Sequence, residues 1–199
     1  MSLFPGDQAV MSDVEIGRAL NTPVSLPAKV RIAVMRFEDH GGWAWWSEEI
    51  SRMDADSVAG LLGKLRACDR VSDASPLPAM LMPIRRDVPN LRVAAARYQA
   101  DAVLVYQVRT RQFERQRFLQ EKETKARCQI DAVLIDVRSG IIPFASSIAE
   151  AFVATKAKDD FNEAETMYKA ELQATARGLA KNADELTTFL KTIPVGESK

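Results

Sequence analysis

The segment Val30 to Phe37, which reads Val-Arg-Ile-Ala-Val-Met-Arg-Phe, decides the fold of this chain. It is strongly apolar and rich in β-branched residues, and such a run predicts a central strand of a sheet. A second run of this kind, Asp101 to Val108, follows a helical pattern at residues 91 to 99. Strands that alternate with helices predict crossover units, in which neighbouring strands are parallel.

The remaining elements complete a mixed sheet. Apolar residues at helical spacing, capping residues and a Ser-Gly turn signal predict them. They are a short helix from Asp13 to Leu20 with a Ser12/Glu15 capping box, a helix from Ser47 to Ala67, a strand from Arg70 to Ala74, a helix from Leu91 to Gln99 capped by Asn90, a strand from Thr124 to Val137, a turn at Ser139-Gly140, a strand from Ile141 to about Ala154, and a long helix from about Asp160 to Leu190.

These patterns predict an α+β fold, an α/β-type mixed sheet with the order strand, helix, strand, helix, strand, strand, strand, helix. The helices pack on the sheet, and the C-terminal helix is long. We expect an N-terminal arm or linker at residues 1–29 and a single mixed-sheet domain at residues 30–193. Residues 194–199 contain Pro194 and Gly196 and are expected to form a mobile tail.

Composition excludes several kinds of protein. The 199 residues contain 27 Lys and Arg against 27 Asp and Glu, so net charge gives no indication of a nucleic-acid or lipid partner. No stretch of about 18 apolar residues could span a membrane as a helix. Cys68 and Cys128 match no zinc or redox spacing. They are read as two small buried residues, with a disulfide between them as the alternative in an oxidising compartment.

No catalytic set can be assembled from this sequence. His40 is the only histidine, and no Gly-x-Ser-x-Gly segment, metal-ligand cluster or phosphate-binding glycine loop accompanies it. A single histidine beside Asp39 at the end of a strand is typical of a solvated loop residue. We therefore expect no enzyme activity, no catalytic residue, no cofactor and no metal, and we expect the chain to act by binding.

The first candidate contact surface is a tryptophan cluster. Trp43, Trp45 and Trp46 are all the tryptophans of the chain, and they follow the first predicted strand and His40. Aromatic side chains on such a loop can anchor a partner or stack on a ligand. The alternative is structural: Trp46 begins the apolar face of the next helix, and the other two cover the edge of the sheet.

The second candidate is a basic ribbon, which we define as residues 109–127. If the strand from Asp101 continues outward, alternation places one set of side chains on one face. That set is Arg109, Arg111, Phe113, Arg115 and Arg117. Such a face could contact phosphate groups or an acidic protein. The alternative is a solvated hairpin whose charges protect an exposed edge, and the near-neutral charge of the chain weakens the nucleic-acid interpretation.

Three segments resemble the CsgG-like and TolB amino-terminal-like domains of bacterial envelope proteins, a group that includes activator lipoproteins of penicillin-binding proteins. Residues 29–39 resemble the opening strand, residues 98–108 resemble the Ala-Asp and apolar-strand segment, and residues 130–140 resemble a strand that ends in Asp-x-x-(Ser/Thr)-Gly. Together these segments span most of residues 29–190.

The resemblance implies a non-enzymatic protein-interaction or assembly domain in the periplasm. It implies an outer-membrane lipoprotein whose only contact with the membrane is a lipidated cysteine before residue 1, after a signal segment that is also absent from this sequence. The expected partner is another envelope protein or a second copy of the chain. The alternatives are a nucleic-acid-binding module that uses the basic ribbon, a small-ligand-binding domain near His40 and the tryptophans, and a cytoplasmic location.

Overall fold

The computed structural model describes residues 3–4, 11–37, 48–115, 123–155 and 163–196. Four α-helices and five strands make up these parts of the chain. In chain order they are α1 (Asp13–Asn21), β1 (Val30–Arg36), α2 (Glu48–Arg66), β2 (Val71–Pro76), α3 (Val88–Arg97), β3 (Ala102–Arg115), β4 (Glu123–Asp136), β5 (Phe144–Thr155) and α4 (Glu163–Thr192). One 3-10 turn, Ala79–Leu81, lies between β2 and α3.

The five strands form one mixed sheet in the order β2-β1-β3-β4-β5. β1 is parallel to both β2 and β3, and β3, β4 and β5 form an antiparallel meander. The sheet therefore has a crossover half, β2 and β1 with α2 and α3, and a meander half, β3 to β5 with α4. The predicted α+β class, the order of elements and the long C-terminal helix are confirmed.

Helix starts show how local chemistry sets element boundaries. Ser12 caps α1 by accepting the amide of Glu15, and the Glu15 carboxylate accepts the Ser12 amide, which is the predicted capping box. The predicted cap of α3 was wrong. Its N-cap is Asp87, whose carboxylate accepts the Asn90 amide at 3.0 Å. Pro89 is tolerated in the first turn because amides there have no partner within the helix.

Two apolar clusters lie on the two faces of the sheet. On one face, α2 and α4 cover β1, β3 and β4 through residues such as Leu65, Leu179 and Leu104. On the other face, α3 contributes Leu91 and Ala95 over Val103 and its neighbours. Each fully buried Leu contributes about 1.5–3 kcal/mol relative to an exposed one. The sheet is therefore held between two helical layers of unequal size.

The smaller layer leaves part of its face open. α3 has 10 residues, whereas α4 has 30. Beyond the reach of α3, the outward positions of β5 are exposed. These positions, named here the β5 stripe, are Ala145, Ser147, Ala149, Ala151 and Val153.

The two ends of the domain meet. Leu26 is fully buried and forms an isolated parallel bridge with Val195. The Leu26 amide donates to the Pro194 carbonyl at 3.1 Å, and the Gly196 amide donates to the Leu26 carbonyl at 2.9 Å. The last residues of the expected arm and the first residues of the expected tail are therefore in contact with each other.

Two further observations bear on the sequence expectations. Cys68 and Cys128 are both buried and both free thiols, so the disulfide considered above is not formed. No helix within the described ranges is long and apolar enough to cross a membrane.

Candidate binding pocket

A pocket of about 330 Å³ opens on the part of the sheet that α3 does not cover. Phe37, Val105 and Val133 form its apolar part. Its other lining residues are Tyr106, Gln107, Arg109 and Asp131 from the strands, and Leu3 and Phe4 from the N-terminal segment. The pocket thus combines an apolar floor with a polar rim.

Strand register explains why these residues meet. In the antiparallel pair of β3 and β4, Val105 lies opposite Val133, and Gln107 lies opposite Asp131. Because side chains alternate between faces, these positions all point away from α4. Phe37 follows β1 directly, and its amide donates to the Tyr106 carbonyl. Three separate segments therefore build the floor.

A cluster of polar side chains stands at the rim around Asp131. The carboxylate of Asp131 accepts hydrogen bonds from Arg109, from the Ser147 hydroxyl at 2.6 Å and from the Gln129 amide at 3.2 Å. Gln129 also donates to Ser147 at 3.1 Å. The cluster joins β3, β4 and β5 across the open face, and it fixes the position of Arg109.

Opposing effects set the charge state of Asp131. Partial burial raises its pKa, but the hydrogen bonds from Ser147 and Arg109, the positive charge of Arg109 and the bond from Gln129 outweigh it. The pKa of Asp131 is lowered from its usual value of 3.8 as a result. The residue is therefore an anion near neutral pH, balanced by Arg109.

This arrangement is suited to binding. A carboxylate with a lowered pKa is a weaker base than an ordinary one, and Asp131 is already occupied by hydrogen bonds from Arg109, Ser147 and Gln129. Among the residues that the structure describes, no group of three His, Cys, Asp or Glu side chains could hold a metal ion. What the pocket offers a ligand is an apolar floor and a ring of donors and acceptors.

The predicted contact residues are only partly visible. Arg109 lies at the pocket rim, with 56% of its side chain exposed. Arg111, Phe113 and Arg115 occupy alternate positions of β3, paired with Arg127, Lys125 and Glu123, but their side chains lie outside the described part. His40, Trp43, Trp45, Trp46 and Arg117 lie outside the described residues entirely. The tryptophan and basic-ribbon surfaces stay predictions.

The ribbon itself differs from a free hairpin. β3 and β4 pair from Ala102–Asp136 out to Arg115–Glu123, which confirms a long hairpin. However, β5 accompanies β4 for the whole distance, as far as Thr155 opposite Glu123. Charges in β4 therefore do not protect an exposed edge, because that edge is already paired. Among the described residues, β5 has no further partner strand, and β3 has none on its β1 side beyond Tyr106, so the ribbon positions of β3 from Arg109 onward lie at an open edge.

The segments that carried the family resemblance build turns. Asp101 accepts the Arg31 amide at 2.9 Å, and Asp136 accepts the Ser139 amide at 2.9 Å. Gly140 has a φ of 78°, which favours glycine. Arg92 of α3 donates to the Val137 carbonyl at 2.9 Å, which ties this turn to the helix. Asp101, Asp136 and Gly140 therefore shape strand ends, whereas other residues of the same segments, such as Phe37, Val105 and Asp131, line the pocket.

Sequence reasoning missed Asp131, Gln129 and Ser147. The available signal was their position: residues 129 and 131 are polar and alternate with buried Cys128, Ile130 and Ala132. Alternation of this kind indicates a strand with one solvated face. The sequence analysis predicted a strand from Thr124 to Val137 but did not consider which of its side chains face solvent.

Comparison with known proteins gives only distant similarity. No family model matches the sequence, and no curated protein matches it. Among solved structures, the PelC dodecamer from Paraburkholderia phytofirmans is 16% identical, with a TM-score of 0.37, over 79% of this chain and 91% of that one.

Two other solved structures are similar at comparable distance. Protein CT253 from Chlamydia trachomatis is 10% identical, with a TM-score of 0.46, over 82% of this chain and 98% of that one. A minor lipoprotein from Acinetobacter baumannii is 9% identical, with a TM-score of 0.37, over 83% and 97%. At these scores and identities, none of the three carries a conclusion about the function of this chain.

Proposed function

We propose that this chain is a non-enzymatic interaction domain that binds an apolar segment of a partner protein in the pocket between β3 and β4. One observation supports the proposal: Leu3 and Phe4, which are distant in sequence from the strands, form part of the pocket wall beside the apolar floor. Leu3 packs on the cluster beneath α3, whereas Phe4 stays 56% exposed. The floor therefore already accepts an apolar side chain from a separate part of the chain at Leu3.

The dimensions of the pocket favour side chains over a large ligand. Its volume lies at the lower end of the range of roughly 300–1,000 Å³ that is typical of ligand pockets. An apolar centre with a hydrogen-bonding rim is also the usual anatomy of a protein interface. Val105 and Val133 supply the centre, and the Asp131 cluster supplies the rim.

We propose further that the domain works in the bacterial cell envelope, as a periplasmic lipoprotein held at the outer membrane. This part rests on the resemblance of residues 29–39, 98–108 and 130–140 to the CsgG-like and TolB amino-terminal-like group. Fractionation of the full-length protein in its source organism tests it. Recovery with the outer membrane, lost when the upstream cysteine is replaced, is the expected result, and recovery in the cytosol would contradict it.

A vacated pocket tests the binding proposal directly. In the full-length variant with Leu3→Ser and Phe4→Ser, the chain's own residues no longer compete for the pocket. A labelled peptide with the sequence of residues 1–7 should bind this variant, as measured by fluorescence anisotropy. It should bind the unaltered chain more weakly, because a tethered segment acts at a high effective concentration.

Two controls make this experiment decisive. The same peptide with serine in place of its leucine and phenylalanine should not bind. Adding Val133→Asp to the vacated variant should abolish binding, because a carboxylate would stand on the apolar floor. Equal binding with and without Val133→Asp, or no binding at all, would contradict the proposed role of the pocket.

A further inference from the structure

Strand β5 forms one edge of the sheet. Among the described residues, β4 is its only partner strand, so its outer row of backbone donors and acceptors has no strand beside it. An edge of 12 residues is long, and a row of this kind is a template for pairing with another chain. We propose that β5 pairs antiparallel with β5 of a second copy, which joins two five-stranded sheets into one.

The sequence of β5 lacks the usual protection of an edge. Edges are protected by Pro, Lys, bulges or inward charges. The strand Phe-Ala-Ser-Ser-Ile-Ala-Glu-Ala-Phe-Val-Ala-Thr contains no Pro and no cation, and Glu150 is its single charged residue. Lys181 of α4 forms an ion pair with Glu150 on the face opposite the β5 stripe. The edge therefore presents no unbalanced charge.

Pairing with itself suits this strand better than pairing with an arbitrary one. A two-fold axis across the edge makes the two β5 strands antiparallel. Each side chain of β5 in one copy then lies opposite a side chain of β5 in the other copy. On the open face, the side chains that meet are those of the β5 stripe. They are small or β-branched, so they pack together with no charged group between them. Like charges would meet only if Glu150 lay on the axis, and an axis at Ile148 or Ala149 avoids this.

Helix α4 does not obstruct the proposed pairing of the two β5 strands. α4 lies over β4 and β5, and two of its cations face the β5 side. Lys181 is taken by Glu150, and the Arg177 guanidinium lies 4.8 Å from the centre of the Phe152 ring. Lys181 is therefore neutralised within its own copy, and Arg177 keeps its charge but is held over a ring of its own copy. The proposed pairing rests on the edge of β5 and does not require an occupied pocket, although Ser147 of the β5 stripe also donates to Asp131 at the pocket rim.

Variants with one added cysteine in β5 test the geometry of the proposed strand pairing. Cys68 and Cys128 are buried. A cysteine in place of Ala145, Ser147, Ala149 or Ala151 is then the accessible thiol of each variant. Near a two-fold axis, opposite Cα atoms lie about 4.5–5.5 Å apart, within reach of a disulfide. We expect Ala149→Cys or Ser147→Cys to form covalent dimers under mild oxidation, with yield falling toward the ends of β5. Ser72→Cys, on the other edge of the sheet, should give none.

A charge test complements the cysteine scan. Ala149→Lys should weaken dimerisation at least about tenfold in analytical ultracentrifugation, whereas Ser72→Lys, with the same charge change on β2, should leave it unaltered. Circular dichroism shows whether each variant is folded. Sedimentation of the unaltered chain as a monomer at all concentrations would overturn the proposal. So would equal cross-linking at Ser72 and Ala149, or a dimer that a folded Ala149→Lys variant retains.

Discussion

The two edges of the sheet, β2 and β5, differ in length, charge and surroundings. β2 has 6 residues and ends at Pro76, which has no amide to offer another strand. Its charged residue, Asp73, lies 3.7 Å from Arg31 and 3.6 Å from Arg66. β5 has twice that length and contains no Pro, and its one charged residue, Glu150, is paired with Lys181 of α4. β2 therefore disfavours pairing with a further strand, whereas β5 favours it.

The surroundings of the two edges follow the same division. Beside β2, the Ser75 hydroxyl and the Tyr98 hydroxyl are 2.9 Å apart, and the Arg31 guanidinium lies 4.8 Å from the centre of the Tyr98 ring. These contacts join polar side chains of the crossover half to one another. The meander half holds the open face, the pocket and the β5 stripe. The pocket and the β5 stripe therefore lie mainly in the meander half, although exposed apolar side chains such as Met80 and Ile84 also occur between β2 and α3.

The largest difference between the halves should appear at two glycines. A Cβ at Gly178 would come within 2.6 Å of Ile130 Cδ1, whereas a Cβ at Gly63 of α2 would meet nothing within 4 Å. Gly178→Leu should destabilise the fold by about 1–3 kcal/mol through overpacking. Gly63→Leu should be neutral or stabilising by up to about 1 kcal/mol, because leucine is the better helix former. Urea denaturation of both variants measures this, and equal midpoints would show that α4 does not press on β4.

A smaller effect is expected at the closed edge. Tyr98→Phe removes the hydroxyl contact with Ser75 and keeps the ring beneath Arg31. The loss should be about 1 kcal/mol, the usual net value of one such hydrogen bond. Thermal unfolding measures the loss. Ser75→Ala also removes the hydrogen bond from Ser75 to Asp73, so it should cost more, and adding Tyr98→Phe to it should cause no further loss. Fully additive losses would show that the two hydroxyls do not interact.

The smallest effect concerns the polar cluster on the open face. Because the pKa of Asp131 is lowered in the folded chain, its charge stabilises the fold above the usual pKa of 3.8. That stabilisation is lost as pH falls through the lowered value. Asp131→Asn should cost less than about 1 kcal/mol at neutral pH, since the carboxylate and Arg109 are both partly exposed.

The pH dependence separates the charge of Asp131 from its packing. The stability difference between Asp131→Asn and the unaltered chain should disappear well below the lowered pKa. Ser147→Ala, which removes one hydrogen bond to the carboxylate, should move the acid transition part of the way. Denaturant midpoints measured across the acid range test both expectations. A difference that stays constant with pH would rule out ionisation as its source.

Much of the fold could be predicted because the deciding signals are local. Apolar runs such as residues 30–37 and 101–108 identify strands, and helical spacing identifies α2 and α4. The cap of α3 was misplaced because Asp87 and Asn90 are both good caps, and only the position of Pro89 in the first turn separates them. Local signals therefore give the identity of elements better than their boundaries.

The candidate site could be predicted only in part, because it depends on strand order. Arg109 was identified from its alternation in the basic ribbon. The floor needs Val105 and Val133 on two adjacent strands and Phe37 directly after a third, and no sequence pattern states that these strands are adjacent. The open edge of β5 could not be predicted for the same reason, because it also depends on strand order. Nothing in the sequence of residues 144–155 reveals that no described strand follows β5 in the sheet.

The bridge between Leu26 and Val195 has a mechanical consequence. The two strands of this bridge are parallel, so a pull on the flanking chain before Leu26 and after Val195 acts in opposite directions along them. The load is then carried in shear by two hydrogen bonds at once, of 3.1 and 2.9 Å, before it reaches the sheet. A domain closed in this way resists unfolding when it is pulled by its two ends. Because Leu26 and Val195 are neighbours, a tether on either side of the domain starts from nearly the same place.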